Sequence, residues 1–311
     1  MSPARGPRRD LKRLPTEGIN RASANLDRKS SLEVARIISA EDAKVAAAVR
    51  RTLPEIARAI DLIAASLKKG GRLIYVGAGT SGRIAALDAV ECPPTFNVRP
   101  RTVQFVIAGG AKALGMAAEA EEDSARLGKI AIGKKKLSRN DVVVGIAASG
   151  RTPFTVAAVR YARRHHAKTI AVTGSRNSPL ERAADLAIVT EVGPEALSGS
   201  SRMKAGTAQK MVLNMLSTGA MVRLGYVYGN LMVNVHLKNQ KLVERGLSIV
   251  QQAAGVGRLA AQKALKSARK SLPVALVMLE TGLDRSRAER ALKAAGGNVR
   301  QAIAAARSVA N

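Results

Sequence analysis

Three stretches of this chain combine glycine with hydroxyl side chains as an anion site requires, and two others carry carboxylates. Gly77-Ala-Gly-Thr-Ser-Gly82 follows a short apolar run and strips side chains from a turn. Backbone N–H groups and the Thr80 and Ser81 hydroxyls can then approach an anion at a helix N-terminus. Ala148-Ser-Gly-Arg-Thr-Pro153 repeats the device. Ser149 and Thr152 offer hydroxyls on either side of Gly150 and Arg151, and Pro153 suits the first position of a helix. In the third stretch Ser200 and Ser201 precede a helix expected to begin near Arg202, with Lys204 in its first turn. Cations there oppose the helix dipole unless an anion sits among them. Glu91 stands in Glu-Cys-Pro-Pro, where the prolines are expected to stop a helix and hold the carboxylate in a dry, rigid setting. Glu119-Ala-Glu-Glu-Asp-Ser124 is an acidic cluster in an otherwise basic chain, and by itself reads as a solvated helix face. His165, His166 and His236 show no ligand spacing, and Cys92 has no second cysteine, so no metal is assigned.

These turns need strands and helices to carry them. Apolar runs at 73–76, 103–107, 141–147, 169–173 and 186–189 alternate with helical patterns at 81–90, 116–126, 152–165 and 179–184. That is the rhythm of a doubly wound α/β fold, a parallel sheet flanked by helices, which binds ligands beyond the carboxyl ends of its strands. Ahead of it lie a helix at 32–38, a second starting at Ser39 and a helical stretch at 43–67 interrupted by Pro54. A long helix runs from Lys204 to about Val222, and 250–311 forms a small Ala-, Leu- and Lys/Arg-rich helical module. The expected organisation is a basic disordered lead at 1–15, a helical segment at 16–62, the sheet domain at 63–226 and the C-terminal module at 227–311.

A formal charge of +28 raises nucleic acid as a partner, but the cations are spread over every segment. Three Phe, four Tyr and no Trp leave little for bases to stack on, so no nucleic-acid partner is expected. No apolar run approaches a membrane span and no signal-peptide core follows the start. One cysteine fits a reducing compartment, and the chain reads as cytoplasmic.

Gly77-Ala-Gly-Thr-Ser-Gly-Arg83, Glu91-Cys-Pro-Pro-Thr95, Gly145 to Pro153 and Gly199 to Gln209, in this order, resemble the N-acetylmuramic acid 6-phosphate etherases of the sugar isomerase (SIS) superfamily. The likeness takes in Thr16-Glu17, Asn214 to Thr218 and Gly229 to Val233, and spans about residues 14–246. It implies a cytoplasmic homodimer of SIS type, acting on a sugar phosphate without metal or cofactor. The reaction implied is cleavage of the C3 lactyl ether to N-acetylglucosamine 6-phosphate and D-lactate. Two glutamates carry acid–base work in that family, matching Glu91 in Glu-Cys-Pro-Pro and Glu122 directly before Asp-Ser. Glu91 is read as the acid and Glu122 as the base. Ser149, Gly150, Arg151 and Thr152 are expected on the phosphate, with Thr80, Ser81, Ser200 and Ser201 nearby and Lys204 adding charge. Ala111-Lys112 stand where relatives often carry an acidic residue. A non-catalytic sugar-phosphate-sensing regulator of the same superfamily is the alternative, and retention of both glutamates argues against it.

Overall fold

The computed structural model describes residues 18–235, 237 and 240–310. The basic lead, Thr16-Glu17 and His236 lie outside the described residues. The chain forms two units, one running to Ala89 and including Val103–Leu216, the other built from Val90–Thr102 and the chain from Ser217 onward.

The first unit begins with α1 (Ser31–Arg50) and α2 (Leu53–Lys68). Ser30 starts α1 through a capping box: its hydroxyl accepts from the Glu33 N–H, and its own N–H donates to the Glu33 carboxylate. Ser39 therefore lies inside one continuous helix and starts none, because nothing between 31 and 50 is Gly or Pro. Pro54 occupies the first turn of α2, where its missing N–H costs nothing.

Five strands, β1 (Leu73–Gly77), β2 (Val103–Ile107), β3 (Val142–Ala147), β4 (Lys168–Thr173) and β5 (Leu186–Val189), form one parallel sheet. Their order is β2-β1-β3-β4-β5. Every residue of β1 and β3 is buried, as befits central strands covered on both faces. After β1 the chain runs to the edge strand β2 and then crosses back to β3, so the order reverses between β1 and β3. Such a switch point leaves a crevice at the carboxyl ends. Register pairs Gly77 with Ile146, so the turns after β1 and β3 leave the sheet almost level.

Helices α3 (Gly79–Phe96), α4 (Glu119–Glu122), α5 (Ala125–Gly133), α6 (Pro153–Arg164), α7 (Pro179–Ala183) and α8 (Lys204–Arg223) connect and follow the strands. Ile74, Val76, Val106 and Val143 pack against Ile132, Phe154, Ala158 and Leu180 on one face. Two expectations need correction here. Pro93 and Pro94 do not stop α3, which runs through them to Phe96. They fall in its last turn, and the helix ends at Asn97, which adopts φ 54° and donates its N–H to the Pro93 carbonyl at 2.9 Å. The single helix expected at 116–126 is instead α4 and α5, broken at Asp123 because Ser124 caps α5 by accepting from the Leu127 N–H.

In the second unit, α9 (Gln240–Ala254), α10 (Arg258–Ser267), α11 (Leu272–Thr281), α12 (Arg285–Ala294) and α13 (Val299–Ala310) surround a core that includes Leu247, Val250, Leu265, Leu276 and Ile303. Among the described residues, no helix is long and apolar enough to cross a membrane.

Candidate active site

The turn after β1 is shaped around a carboxylate. Gly79 sits at φ +52°, and a Cβ built there would lie 2.8 Å from Oε1 of Glu122. Glycine thus serves both the left-handed backbone and the close approach of Glu122. Burial is the main force pushing the Glu122 carboxyl above the ordinary range, and the charges of Asp123 and Glu119 push the same way. The Arg83 guanidinium pulls it back. Replacing Gly79 by Ala should cost about 1–2 kcal/mol of stability from the left-handed backbone. It should also displace the Glu122 carboxylate, whose side chain stands where the new methyl would be. Thermal denaturation checks the loss of stability.

The segment carrying Glu122 is anchored at its two ends. Before it, Arg83 donates from Nε to the Ala113 carbonyl at 3.0 Å and from Nη2 to the Met116 carbonyl at 2.7 Å. After it, α5 approaches α6 so closely that a Cβ on Gly128 would lie 2.2 Å from the Phe154 carbonyl oxygen.

The turn after β3 has an open helix end. Gly150 adopts φ +63°, with Ser178 and Thr173 against it, and its carbonyl accepts from the Leu180 N–H at 2.9 Å. Ser149 Oγ accepts from the Arg151 N–H at 3.3 Å, and the Arg151 side chain is exposed. Thr152 is the N-cap of α6 but makes no side-chain capping bond, and Thr155 in the first turn has a buried hydroxyl without a partner. By contrast, α7 is closed by Ser178 in a capping box and α8 by Glu195. The first N–H groups of α6 are therefore open to an anion, as those of α7 and α8 are not.

Lys204 is committed to the protein's own carboxylates. Its Nζ is buried in an ion pair with Glu41 of α1, 2.5 Å away, and Glu41 also pairs with Lys44. Glu195 accepts from the Lys204 and Ala205 N–H groups, each at 2.9 Å. The anions that reconcile a cation with this helix end are the protein's own carboxylates. Burial opposes ionisation of Glu41, but the Lys204, Lys44 and Asn20 hydrogen bonds win and lower its carboxyl to about 2. Ser200 and Ser201 are half-buried just before α8. A Cβ on Gly206 would stand 3.6 Å from the Thr80 methyl, so the start of α8 borders the β1 turn. Thr80 is half-buried there and Ser81 is buried.

Glu91 belongs to the part of α3 assigned to the second unit and is exposed. The dry setting expected from its prolines is not what the fold provides, because they continue the helix and leave the side chain in solvent. Cys92 beside it is buried.

Residues 55–163 match the family model described as the glucokinase regulatory protein N-terminal SIS domain, and residues 273–306 match that of the HYPK UBA domain. An N-acetylmuramic acid 6-phosphate etherase from Symbiobacterium thermophilum is 54% identical, covering 88% of this chain and 91% of its own. One from Aeromonas hydrophila subsp. hydrophila is 50% identical and covers 94% of this chain and 98% of its own. The chain belongs to the N-acetylmuramic acid 6-phosphate etherase family. A solved phosphoheptose isomerase from Francisella tularensis has a TM-score of 0.48 at 18% identity, covering 62% of this chain and 98% of its own.

The structure thus draws Thr80, Ser81, Glu122 and the start of α8 around the β1 turn, with Ser149 to Thr152 at the adjacent strand. Arg83, Glu41 and Glu195 escaped the sequence reading as contributors to this region. Arg83 had a signal, as the only cation in its glycine turn; Glu41 had none, lying 163 residues from its partner. Behind the β1 turn, Asp88 accepts from the Tyr75 hydroxyl at 2.8 Å and from the Asn214 amide at 2.6 Å, tying α3, β1 and α8 together. Among the described residues, no group of three His, Cys, Asp or Glu side chains could hold a metal ion.

Proposed function

We propose that this chain is a lyase that cleaves the C3 D-lactyl ether of N-acetylmuramic acid 6-phosphate, giving N-acetylglucosamine 6-phosphate and D-lactate. The observation that carries the reading is the half-buried Glu122 carboxylate against Gly79, at the end of the strand beside the one that leads to the open α6 terminus. In the open-chain sugar the aldehyde acidifies the C2 proton. Glu122 takes that proton, and its raised affinity for protons makes it a better base than an ordinary carboxylate. The C3–O bond then breaks, the lactate oxygen receives a proton from Glu91, and an unsaturated aldehyde remains. Water adds at C3 and a proton returns to C2, so the sum is hydrolysis of the ether.

The Glu91 assignment rests on its motif and on division of labour with Glu122. Leu87 and Val90 are exposed apolar side chains on the same helix, which supports a homodimer in which a second copy covers this face and dries Glu91. The chain acts in the cytoplasm on this reading. Ser149, Gly150, Arg151 and Thr152 hold the phosphate, Ser200 and Ser201 line the sugar beside Thr80 and Ser81, and Lys204 acts through the fold.

Incubation with N-acetylmuramic acid 6-phosphate should release D-lactate in step with N-acetylglucosamine 6-phosphate. Folded protein that binds the sugar phosphate yet releases no lactate would instead be a sensor, the reading favoured by the regulatory-protein match over 55–163. Thr152→Val removes a hydroxyl without changing shape. Losing a hydrogen bond to a charged group, about 1.5–3 kcal/mol, should raise KM by roughly tenfold or more while C2 exchange at saturation persists.

A further inference from the structure

Arg83 closes the Gly-Ala-Gly-Thr-Ser-Gly-Arg turn, yet its guanidinium is committed to two backbone carbonyls, those of Ala113 and Met116. A planar fork can hold two acceptors at a fixed spacing, which a lysine cannot do. The chain between this grip and the reacting carboxylate is held by packing alone, Ala118 lying against Gly109. Ala118 makes no side-chain cap to α4, and α4 is four residues long, too short to be stable alone. On the far side, Ser124 caps α5 and Gly128 seats it against α6. On the near side Ala118 and Ala113 pack on Gly109, and Arg83 supplies the side-chain hydrogen bonds.

We infer that Arg83 is a positioning residue for the reaction: its two-pronged hold on Ala113 and Met116 sets where the Glu122 carboxylate stands against the Gly79 turn. The inference rests on Glu122 being the catalytic base. Arg83 also acts on Glu122 through its charge. Burial raises the Glu122 carboxyl, Asp123 and Glu119 from its own segment raise it further, and Arg83 from α3 lowers it. Of the elements near α4, α6 carries no titratable side chain before Arg160, and Arg151 ahead of it and Arg126 at the start of α5 are both exposed. Grip and charge can be separated. Arg83→Lys keeps the charge and loses the fork, whereas Arg83→Met loses both.

The test is the pH profile of kcat/KM, with kcat and KM, for N-acetylmuramic acid 6-phosphate. The wild type, the two Arg83 variants and Glu122→Gln are compared, after thermal denaturation has shown each to be folded. Arg83→Lys should lower kcat by roughly 10–10²-fold, leaving KM and the acid limb near their wild-type positions. Arg83→Met should lower kcat at least as much and move the acid limb to higher pH, since the cation that favoured ionised Glu122 is gone. Wild-type kcat in Arg83→Lys, or an acid limb unmoved in Arg83→Met, overturns the inference. Should Arg83→Met fail to fold, Arg83→Gln takes its place with the same expectation. Full activity in Glu122→Gln would instead remove Glu122 as the base, a separate failure that the Arg83 variants cannot mimic.

Discussion

Glu122→Gln will lower kcat by about 10²–10⁴-fold and abolish exchange of the substrate's C2 proton with solvent. The amide has the size of the carboxylate but no lone pair basic enough to take a proton from carbon. Its effect on stability has the opposite sign to the usual loss of a charge. Because the site raises the Glu122 carboxyl, chiefly by burial, it disfavours the ionised form. At neutral pH the neutral amide should therefore match or exceed the wild type in thermal denaturation. Glu91→Ala makes the contrasting case. Exchange at C2 should continue, since Glu122 is intact, while D-lactate release stops for want of a proton on the departing oxygen. Loss of exchange in Glu91→Ala, with exchange retained in Glu122→Gln, would reverse the two roles. The acid limb of kcat/KM should fall above the ordinary carboxylate range and move down in Asp123→Asn, which removes one of the charges holding it up.

How far this site was legible depends on the range of the interactions that build it. The strands at 73–76, 103–107 and 186–189, and the glycine turns after β1 and β3, follow from local composition, because a buried parallel strand and a helix start each leave their mark within a few residues. The prolines at 93 and 94 misled because a sequence shows what proline removes but not where in a helix it falls. The helix carries them into its last turn, and Asn97 in the left-handed conformation supplies the actual stop. The acidic cluster at 119–124 illustrates the same limit. Its negative charge suits a solvated face, and only the Gly79 backbone, from another part of the chain, shows that Glu122 is drawn inward. Lys204 is the extreme case. The conflict between a cation and a helix N-terminus was visible locally, but it is resolved by Glu195 nine residues before it and Glu41 in the first helix.

That resolution predicts a large stability effect. Lys204→Met leaves Glu41 buried with Lys44 as its remaining ion-pair partner, and removing one partner of a buried pair costs about 3–5 kcal/mol. Replacing both, as Glu41→Leu with Lys204→Met, should recover most of that loss, since no charge is then left uncompensated. The pH dependence follows from the direction of the Glu41 shift, from an ordinary 4.5 down to about 2. A carboxyl depressed in the folded state contributes its full stability above about pH 4.5 and loses it progressively as pH falls toward about 2. The margin by which the wild type exceeds Glu41→Gln in urea denaturation should therefore be constant from pH 7 to 5 and shrink below that. A margin that does not change between pH 6 and pH 3 would show that Glu41 is not held ionised by Lys204. The effect should reach the substrate as well. Lys204 opens α8, whose first turns border Thr80, so a loosened Glu41–Lys204 pair shifts one wall of the proposed sugar site. KM in Lys204→Met should rise while the C2 exchange assigned to Glu122 persists. Equal losses of exchange and binding would instead mean that the disturbance spreads from α8 through the β1 turn to Glu122 itself.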